Sequence, residues 1–440
     1  MQEGCSVNNH FKWPDPPGAD KYSVCVHCGL CLQACPTYLE TGNEAQSPRG
    51  RVDLIKAVSE GRMAINESFI DPVFRCLDCR ACETACPSGV QVGILIEEAR
   101  GQIRQAEPLT GLKGMVSGVF LKGIFPKPGR LKALGKLTRF YQKSGMRKLV
   151  RGTGAIKLFP KHLQDMERVM PEVSARTSRE ALPALLPAVG VKRGTVGLIL
   201  GCVMDVLYSD INLATARVLA RNGFDVMVPQ DQTCCGALQV HAGERPTAKM
   251  MAKQNIDAFL KAGVDYIIIN AAGCGATLKE YEELMHSDQE YASKAGQFVS
   301  KVRDIAEFLV EVGFEPPKGK IDAKVTYHDA CHLAHAQKVR TQPRQLLRSI
   351  PGVELIEMRD SDVCCGSAGI YNLTHPDMAE PILEKKMANV PPEAACLVMG
   401  NPGCMMQMSV GVHRKAMDQE VVHTITLLDR AYEAEKRTGT

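Results

Sequence analysis

Cysteines at short, fixed intervals are the residues with which this sequence can do chemistry. Cys25, Cys28, Cys31 and Cys35 followed by Pro36 form C-x2-C-x2-C-x3-C-P, and Cys76, Cys79, Cys82 and Cys86 followed by Pro87 repeat it letter for letter 51 residues later. Three thiolates so spaced can converge on three irons of one cube from a tight loop, and in the bacterial two-cluster run the fourth reaches across to the other cube. The spacing therefore predicts two [4Fe-4S] clusters, one on Cys25, Cys28, Cys31 and Cys86, the other on Cys76, Cys79, Cys82 and Cys35. Zinc knuckles use the same C-x2-C pairs and are the competing reading. The final x3-C-P predicts that the chain leaves each run as a helix. Gly29 and Ala34 suit close backbone approach, and Arg49 and Arg51 are candidates to offset anionic charge, with a solvated basic turn as the alternative.

A second set of cysteines reveals an internal duplication. Cys202, Cys234, Cys235 and Cys274 recur as Cys331, Cys364, Cys365 and Cys404 at offsets of 129, 130, 130 and 130 residues, with Gly236 and Gly366 closing the two CCG turns. Glycine there permits a turn that aims neighbouring thiols into one cavity. These eight are candidates for further clusters or redox sites, and buried inert thiols are the alternative. His328, Asp329, His332 and His335 flank Cys331 and are candidates for a metal or proton-transfer role. His241, His375 and His423 read as core or surface residues, and Met405, Met406 and Met408 as packing. Cys5 and Cys396 have no motif partner.

Elements must bring these thiols together. In each repeat a short apolar run (195–200; 324–327) ends just before the first cysteine. A helix follows (212–221; 344–349), then a second strand (224–228; 353–357), the CCG turn, more helix and a third strand (266–270; 396–399) that stops short of the last cysteine. Ligand sites form at such carboxyl ends of strands in open α/β sheets. Residues 47–58 and 69–74 read as helical connectors in the head. Between head and repeats, residues 108–164 contain no Asp or Glu and thirteen Lys or Arg, interleaved with apolar residues at helical spacing, and Pro126 and Pro128 split the segment. Three readings of it stay open: a patch on anionic lipid, a docking face for an acidic partner, or a solvated face with its apolar stripe packed inward.

The expected organisation is α+β and α/β: a helical two-cluster ferredoxin-like domain (1–100), a basic helical linker (101–190) and two homologous α/β CCG domains (191–320 and 321–440). A chain of 440 residues, 45% hydrophobic, has room for several cores. Its eighteen cysteines fall in tight groups, not in the spread of a disulfide framework, and residues 1–20 lack the basic start and apolar core of a secretory signal; both lead to the expectation of a reducing cytoplasm. No run approaches the roughly 20 apolar residues of a membrane-spanning helix. Sparse aromatics and the lack of a recognition motif argue against nucleic acid.

With the ferredoxin runs in front, the duplicated CCG pattern resembles the cysteine-rich CCG proteins. These include heterodisulfide reductase subunits, the anaerobic glycerol-3-phosphate dehydrogenase small subunit and the glycolate oxidase iron–sulfur subunit. SPRGR at 47–51, CCGAL at 234–238, NAAGCG at 270–275, HDACHL at 328–333, CCGSAGIYN at 364–372 and NPGCMMQ at 401–407 are most similar to the last, over nearly the whole chain. The resemblance implies the electron-transfer subunit of a flavin-dependent glycolate dehydrogenase. It carries no catalytic residue for the substrate; FAD-containing partner subunits take the hydride, and electrons go on to a quinone or other membrane acceptor. It also implies a cytoplasmic place, with peripheral contact at the inner face of the membrane through 108–164 as a candidate. No G-x-G-x-x-G follows a strand, and 129–137 (GRLKALGKL) misses a P-loop, in keeping with a flavin held elsewhere. The alternative is a heterodisulfide reductase-like, lactate or glycerol-3-phosphate dehydrogenase subunit with clusters in the CCG domains. One departure stands out. The full CCG pattern ends in C-x-x-C, whereas the repeats here end in Cys274-Gly-Ala-Thr277 and Cys404-Met-Met-Gln407, leaving four cysteines each instead of five.

Overall fold

A computed structural model of the chain describes residues 11–438; Cys5 lies outside the described residues. In the head, the helix Pro48–Ser59 begins on a proline that needs no N–H partner at a helix start, and the Ser47 hydroxyl accepts the Gly50 N–H at 3.0 Å. Glu67–Phe74 and Val92–Ala106 pack against it, and Ile55, Val58, Phe69, Val73, Leu95 and Ile96 form the head's core. The helix expected after the first cysteine run is Pro36–Thr41. After the second run it does not follow at once: Gly89, at φ +68°, closes a turn and the next helix starts at Val92. That helix runs unbroken past residue 100.

The linker is a chain of helices, Gly111–Ser117, the π-helical turn Gly118–Ile124, Pro128–Lys143, Met146–Gly152 and Lys161–Val169. Leu121 and Leu131 are buried beneath it, while Leu112, Met115, Leu137, Phe140, Leu149 and Leu158 are exposed. Its inner side holds the first repeat's CCG turn: the Thr233 hydroxyl donates to the Pro126 carbonyl at 2.9 Å and the Gln239 amide to the Leu121 carbonyl at 2.8 Å.

Each repeat is a parallel sheet with helices around it. Strands β1 (Leu185–Leu186), β2 (Gly194–Leu198), β3 (Phe224–Met227), β4 (Tyr266–Ile269) and β5 (Val302–Asp304) form the first, in the order β1-β3-β2-β4-β5, with only β1 antiparallel. Strands β6 (Ala323–Tyr327), β7 (Val353–Glu357), β8 (Cys396–Met399) and β9 (Glu420–His423) form the second, in the order β7-β6-β8-β9. The three strands expected in each repeat are present within a residue or two. The fourth strands, β5 and β9, were not anticipated, nor was the short β1. Buried on both faces, strands such as Tyr266–Ile269 are near-continuously apolar. One continuous hydrophobic core spans both sheets. The repeats are also joined by a bidentate ion pair, Arg217 to Asp429 at 2.6 and 3.1 Å.

Candidate metal centres

The two head loops share a backbone shape. His27 and Gly29 in the first, and Asp78 and Arg80 in the second, occupy the left-handed region at matching positions. Left-handed residues alternating with ordinary ones turn consecutive N–H groups into a concavity suited to anions, and the Asp78 N–H points at the Cys76 Sγ at 3.3 Å.

The thiols fall into two groups. Burial pushes the Cys31 thiol up, and the charges of Cys25 and Cys86 add to the effect, so the last cysteine of the second run stands beside the first loop. Cys28 lies exposed on that loop. Cys35, Cys76, Cys79 and Cys82 line one cleft. Burial pushes Cys82 well up, and Cys79, Cys76 and Cys35 push it further. Thiols crowded in this way ionise readily only against a compensating cation, and soft thiolate sets of four suit iron–sulfur clusters. Arg51 is buried, not solvated. Its guanidinium donates to the Pro72 carbonyl (2.7 Å), the Thr37 hydroxyl (3.0 Å) and the Gln46 side chain (2.9 Å), and lies 3.8 Å from the Cys35 Sγ. Arg49 instead braces the first loop by donating to the His27 carbonyl at 2.9 Å.

In the first repeat, Cys202 follows β2, Cys234 and Cys235 follow β3, and Cys274 sits in the first turn of the helix Ala272–Lys279 after β4. With β2 central and its crossovers running to both sides, these points bracket the switch point where open α/β sheets bind ligands. The Cys202 and Cys234 sulfurs are 3.2 Å apart. Hydrogen bonds from the Cys202 and Cys235 thiols hold Cys234 below the usual thiol range, while Cys235 also interacts with Cys274. The second repeat repeats the arrangement: the Cys331 and Cys364 sulfurs are 4.0 Å apart, and Cys365 interacts with both Cys364 and Cys404. The Gly366 N–H approaches the Cys364 Sγ at 3.4 Å and the Asn401 amide approaches the Cys404 Sγ at 3.3 Å. All eight candidate CCG thiols are thus gathered, four to a repeat.

The second repeat abuts the head. Leu77, Cys79 and Ala81 share a buried apolar cluster with Cys331, Cys364, Tyr371 and Met378. Beside it is an ion network that sequence reasoning missed. Arg80, 3% exposed, reaches Asp78 (2.9 Å), Glu97 (3.2 Å), Glu83 (3.3 Å) and Glu280 (3.1 Å). His241 of the first repeat is 3.1 Å from Asp78 and 3.3 Å from Glu97. Burial opposes its protonation, but those two carboxylates prevail and push it up to about 9. Its ring stacks on His332 of the second repeat at 5.2 Å, and burial together with the His241 charge pushes His332 down to about 3. The one local signal was Arg80 standing where the first loop has Gly29.

The histidines near Cys331 separate sharply. His332 Nε2 contacts the Asp78 carbonyl at 2.9 Å; His335 contacts Thr84, Arg340 and the Asp362 carbonyl at 2.9 to 3.0 Å; Asp329 is held by Arg344 at 2.7 Å. Neither ring nitrogen of the fully buried His328 has a hydrogen-bond partner. His423 is a core residue, and His375 stacks on Tyr371.

Family models match along the chain: a "4Fe-4S dicluster domain" at 21–90, "Glycolate oxidase iron-sulfur subunit, linker region" at 112–170, and "Cysteine-rich domain" at 196–279 and 325–409. The chain is 42% identical to the "Probable glycolate oxidase iron-sulfur subunit" of Bacillus subtilis, covering 96% of each, and 34% identical to the "Glycolate oxidase iron-sulfur subunit" of Escherichia coli, covering 94% of each. It is 31% identical to "Lactate utilization protein A" of Shouchella clausii over 53% of this chain and 98% of that one.

Proposed function

The chain belongs to the glycolate oxidase iron–sulfur subunit family, and from that premise we propose that it takes electrons singly from flavin-bearing partner subunits that oxidise glycolate to glyoxylate and relays them toward a membrane quinone. Oxidation of the alcohol releases two electrons and two protons; a flavin accepts them as a pair, and iron–sulfur clusters accept one electron at a time. The head holds its clusters on Cys25, Cys28, Cys31 and Cys86 and on Cys76, Cys79, Cys82 and Cys35. The CCG thiols hold further iron–sulfur centres, and the chain divides into a head, a linker and two repeats.

The observation that carries this reading is the shared buried cluster of Cys79 with Cys331 and Cys364, which brings the second head site against the second repeat. This chain's residues supply thiolate ligands, a dry apolar lining and the Arg51 charge near Cys35, and no group of theirs has to move a substrate proton. The linker's exposed Leu112, Met115 and Phe140 among its lysines and arginines support peripheral contact with anionic lipid. No helix among the described residues is long and apolar enough to cross a membrane.

The first test is iron and acid-labile sulfide per chain on anaerobically purified protein, followed by glycolate reduction of the complex under EPR. About twelve or more irons are expected; about eight would leave the CCG sites without clusters and reduce the chain to a two-cluster wire. The likeness to a lactate utilization protein favours lactate as the second candidate substrate, and reduction by lactate but not glycolate would select it.

A further inference from the structure

The parallel strands of the two repeats correspond in order, and one of the positions at which the repeats differ lies beside the thiols. TVGLILGC at 195–202 faces KVTYHDAC at 324–331, so Ile199 of the first repeat corresponds to His328 of the second. Both are buried. Isoleucine needs nothing more than packing at that site, whereas a buried imidazole without hydrogen bonds is destabilising at each unsatisfied ring nitrogen.

His328 has no visible means of meeting that cost. Neither Nδ1 nor Nε2 has a hydrogen-bond partner, while His332 and His335, four and seven residues on, have theirs. The Ser361 carbonyl lies near the ring but is already engaged by the Lys386 ammonium at 2.8 Å and the Asp329 N–H at 3.0 Å. What the ring does face is sulfur: a ring nitrogen and the sulfurs of Cys365 and Cys404 all lie within 4.8 Å of one another.

We propose that His328 is a metal ligand, one ring nitrogen joining Cys331, Cys364, Cys365 and Cys404 at the iron–sulfur centre of the second repeat. That centre is then a five-donor site of one nitrogen and four sulfurs, and the first repeat keeps four thiols alone. The histidine occupies the place in the donor count left by the missing second cysteine at Gln407. An imidazole in place of a thiolate makes the centre less anionic and raises its potential. The proposal rests on the reading that the second repeat holds a cluster.

The test uses full-length protein purified anaerobically after growth with natural or 15N-labelled histidine. Iron and sulfide are counted, and the dithionite-reduced state is examined by pulsed EPR. Expected is a histidine-nitrogen coupling that changes from a 14N to a 15N pattern on labelling and is lost in both His328→Asn and His328→Cys. His328→Cys offers a thiolate in exchange, so it keeps the iron and lowers the midpoint potential of that centre. Persistence of the coupling in either variant, or its absence from wild-type protein with twelve or more irons, overturns the role of His328. About eight irons without the coupling overturns the cluster in the second repeat instead. The labelled wild-type measurement stands even if both variants fail to fold.

Discussion

Cys79 and Cys331, 252 residues apart in the chain, lie in one buried apolar cluster, and each bears on the ionisation of the other's site: burial raises the Cys79 thiol and the Cys331 charge adds to it, while Cys364, lowered by its hydrogen bond with Cys331 but raised on balance by Cys365 and burial, is raised further by Cys79. A candidate cluster ligand of the head and a CCG thiol of the second repeat therefore share one low-dielectric environment. Charge arriving at either site is felt at the other with little screening.

Arg51 is a buried cation 3.8 Å from the Cys35 Sγ of the second head site. Arg51→Met removes the guanidinium beside Cys35 and strands the Pro72 carbonyl and the Gln46 side-chain oxygen. The midpoint potential of one head cluster is expected to fall, and stability to drop by about 2–4 kcal/mol. Redox titration followed by EPR and thermal loss of cluster absorbance measure the two effects; an unchanged potential would sink the electrostatic role.

Arg80→Met should be costlier. It leaves Asp78, Glu97 and the imidazolium of His241 to rearrange without their central cation, and removal of one partner from a buried ionic network costs about 3–5 kcal/mol. Denaturant unfolding of the anaerobic protein checks this; a loss below about 1 kcal/mol would show that water enters and replaces the guanidinium.

The two CCG glycines are not equivalent in tolerance. Both sit in the left-handed region, at φ +85° and +87°, but a methyl on Gly236 meets its nearest neighbour at 3.5 Å, whereas one on Gly366 meets the Ala379 carbonyl oxygen at 2.7 Å. Each Gly→Ala change costs about 1–2 kcal/mol in backbone strain. Gly366→Ala is expected to cost at least as much again and to shed iron, whereas Gly236→Ala keeps it; equal melting temperatures and iron contents would contradict the geometry.

His423 sets a pH dependence. The Asn270 carbonyl accepts its Nε2–H at 2.8 Å and the Ile425 N–H donates to Nδ1 at 3.1 Å, so the neutral ring is satisfied, and burial pushes its pKa down to about 4. Below the unfolded value near 6.5 the unfolded chain takes up a proton that the fold refuses, so stability is lost as pH falls from 6.5 towards 4. Between pH 7.5 and 5.5 this amounts to about 1 kcal/mol. Chemical denaturation at the two values should show a loss smaller by that amount in His423→Gln than in wild type, the contributions of the other shifted histidines, His241 and His332 among them, being common to both.

The cysteines made much of this architecture legible. Their fixed offsets announced the duplication, and apolar runs ending beside them located β2, β3, β4 and their counterparts. β5 and β9 escaped because no cysteine marks them and Val302–Asp304 is too short and too charged to read as a strand. The Arg80 network was hidden for another reason: Glu97, His241 and Glu280 come from other parts of the chain, and nothing local distinguishes a buried glutamate from a solvated one. Sequence could name His328, His332 and His335 together, but only the fold separates the one without partners from the two that have them.

The linker hydrogen bonds at Leu121 and Pro126 have a temporal consequence during synthesis. Translation delivers the strap before the CCG turn it clasps, since Thr233 and Gln239 emerge over a hundred residues later. At about 5–20 residues per second, Leu121 and Leu131 wait on the order of ten seconds with nothing to cover them. Until the first repeat arrives, the thirteen lysines and arginines of 108–164 are the charge that opposes aggregation of this amphipathic stretch beside the ribosome.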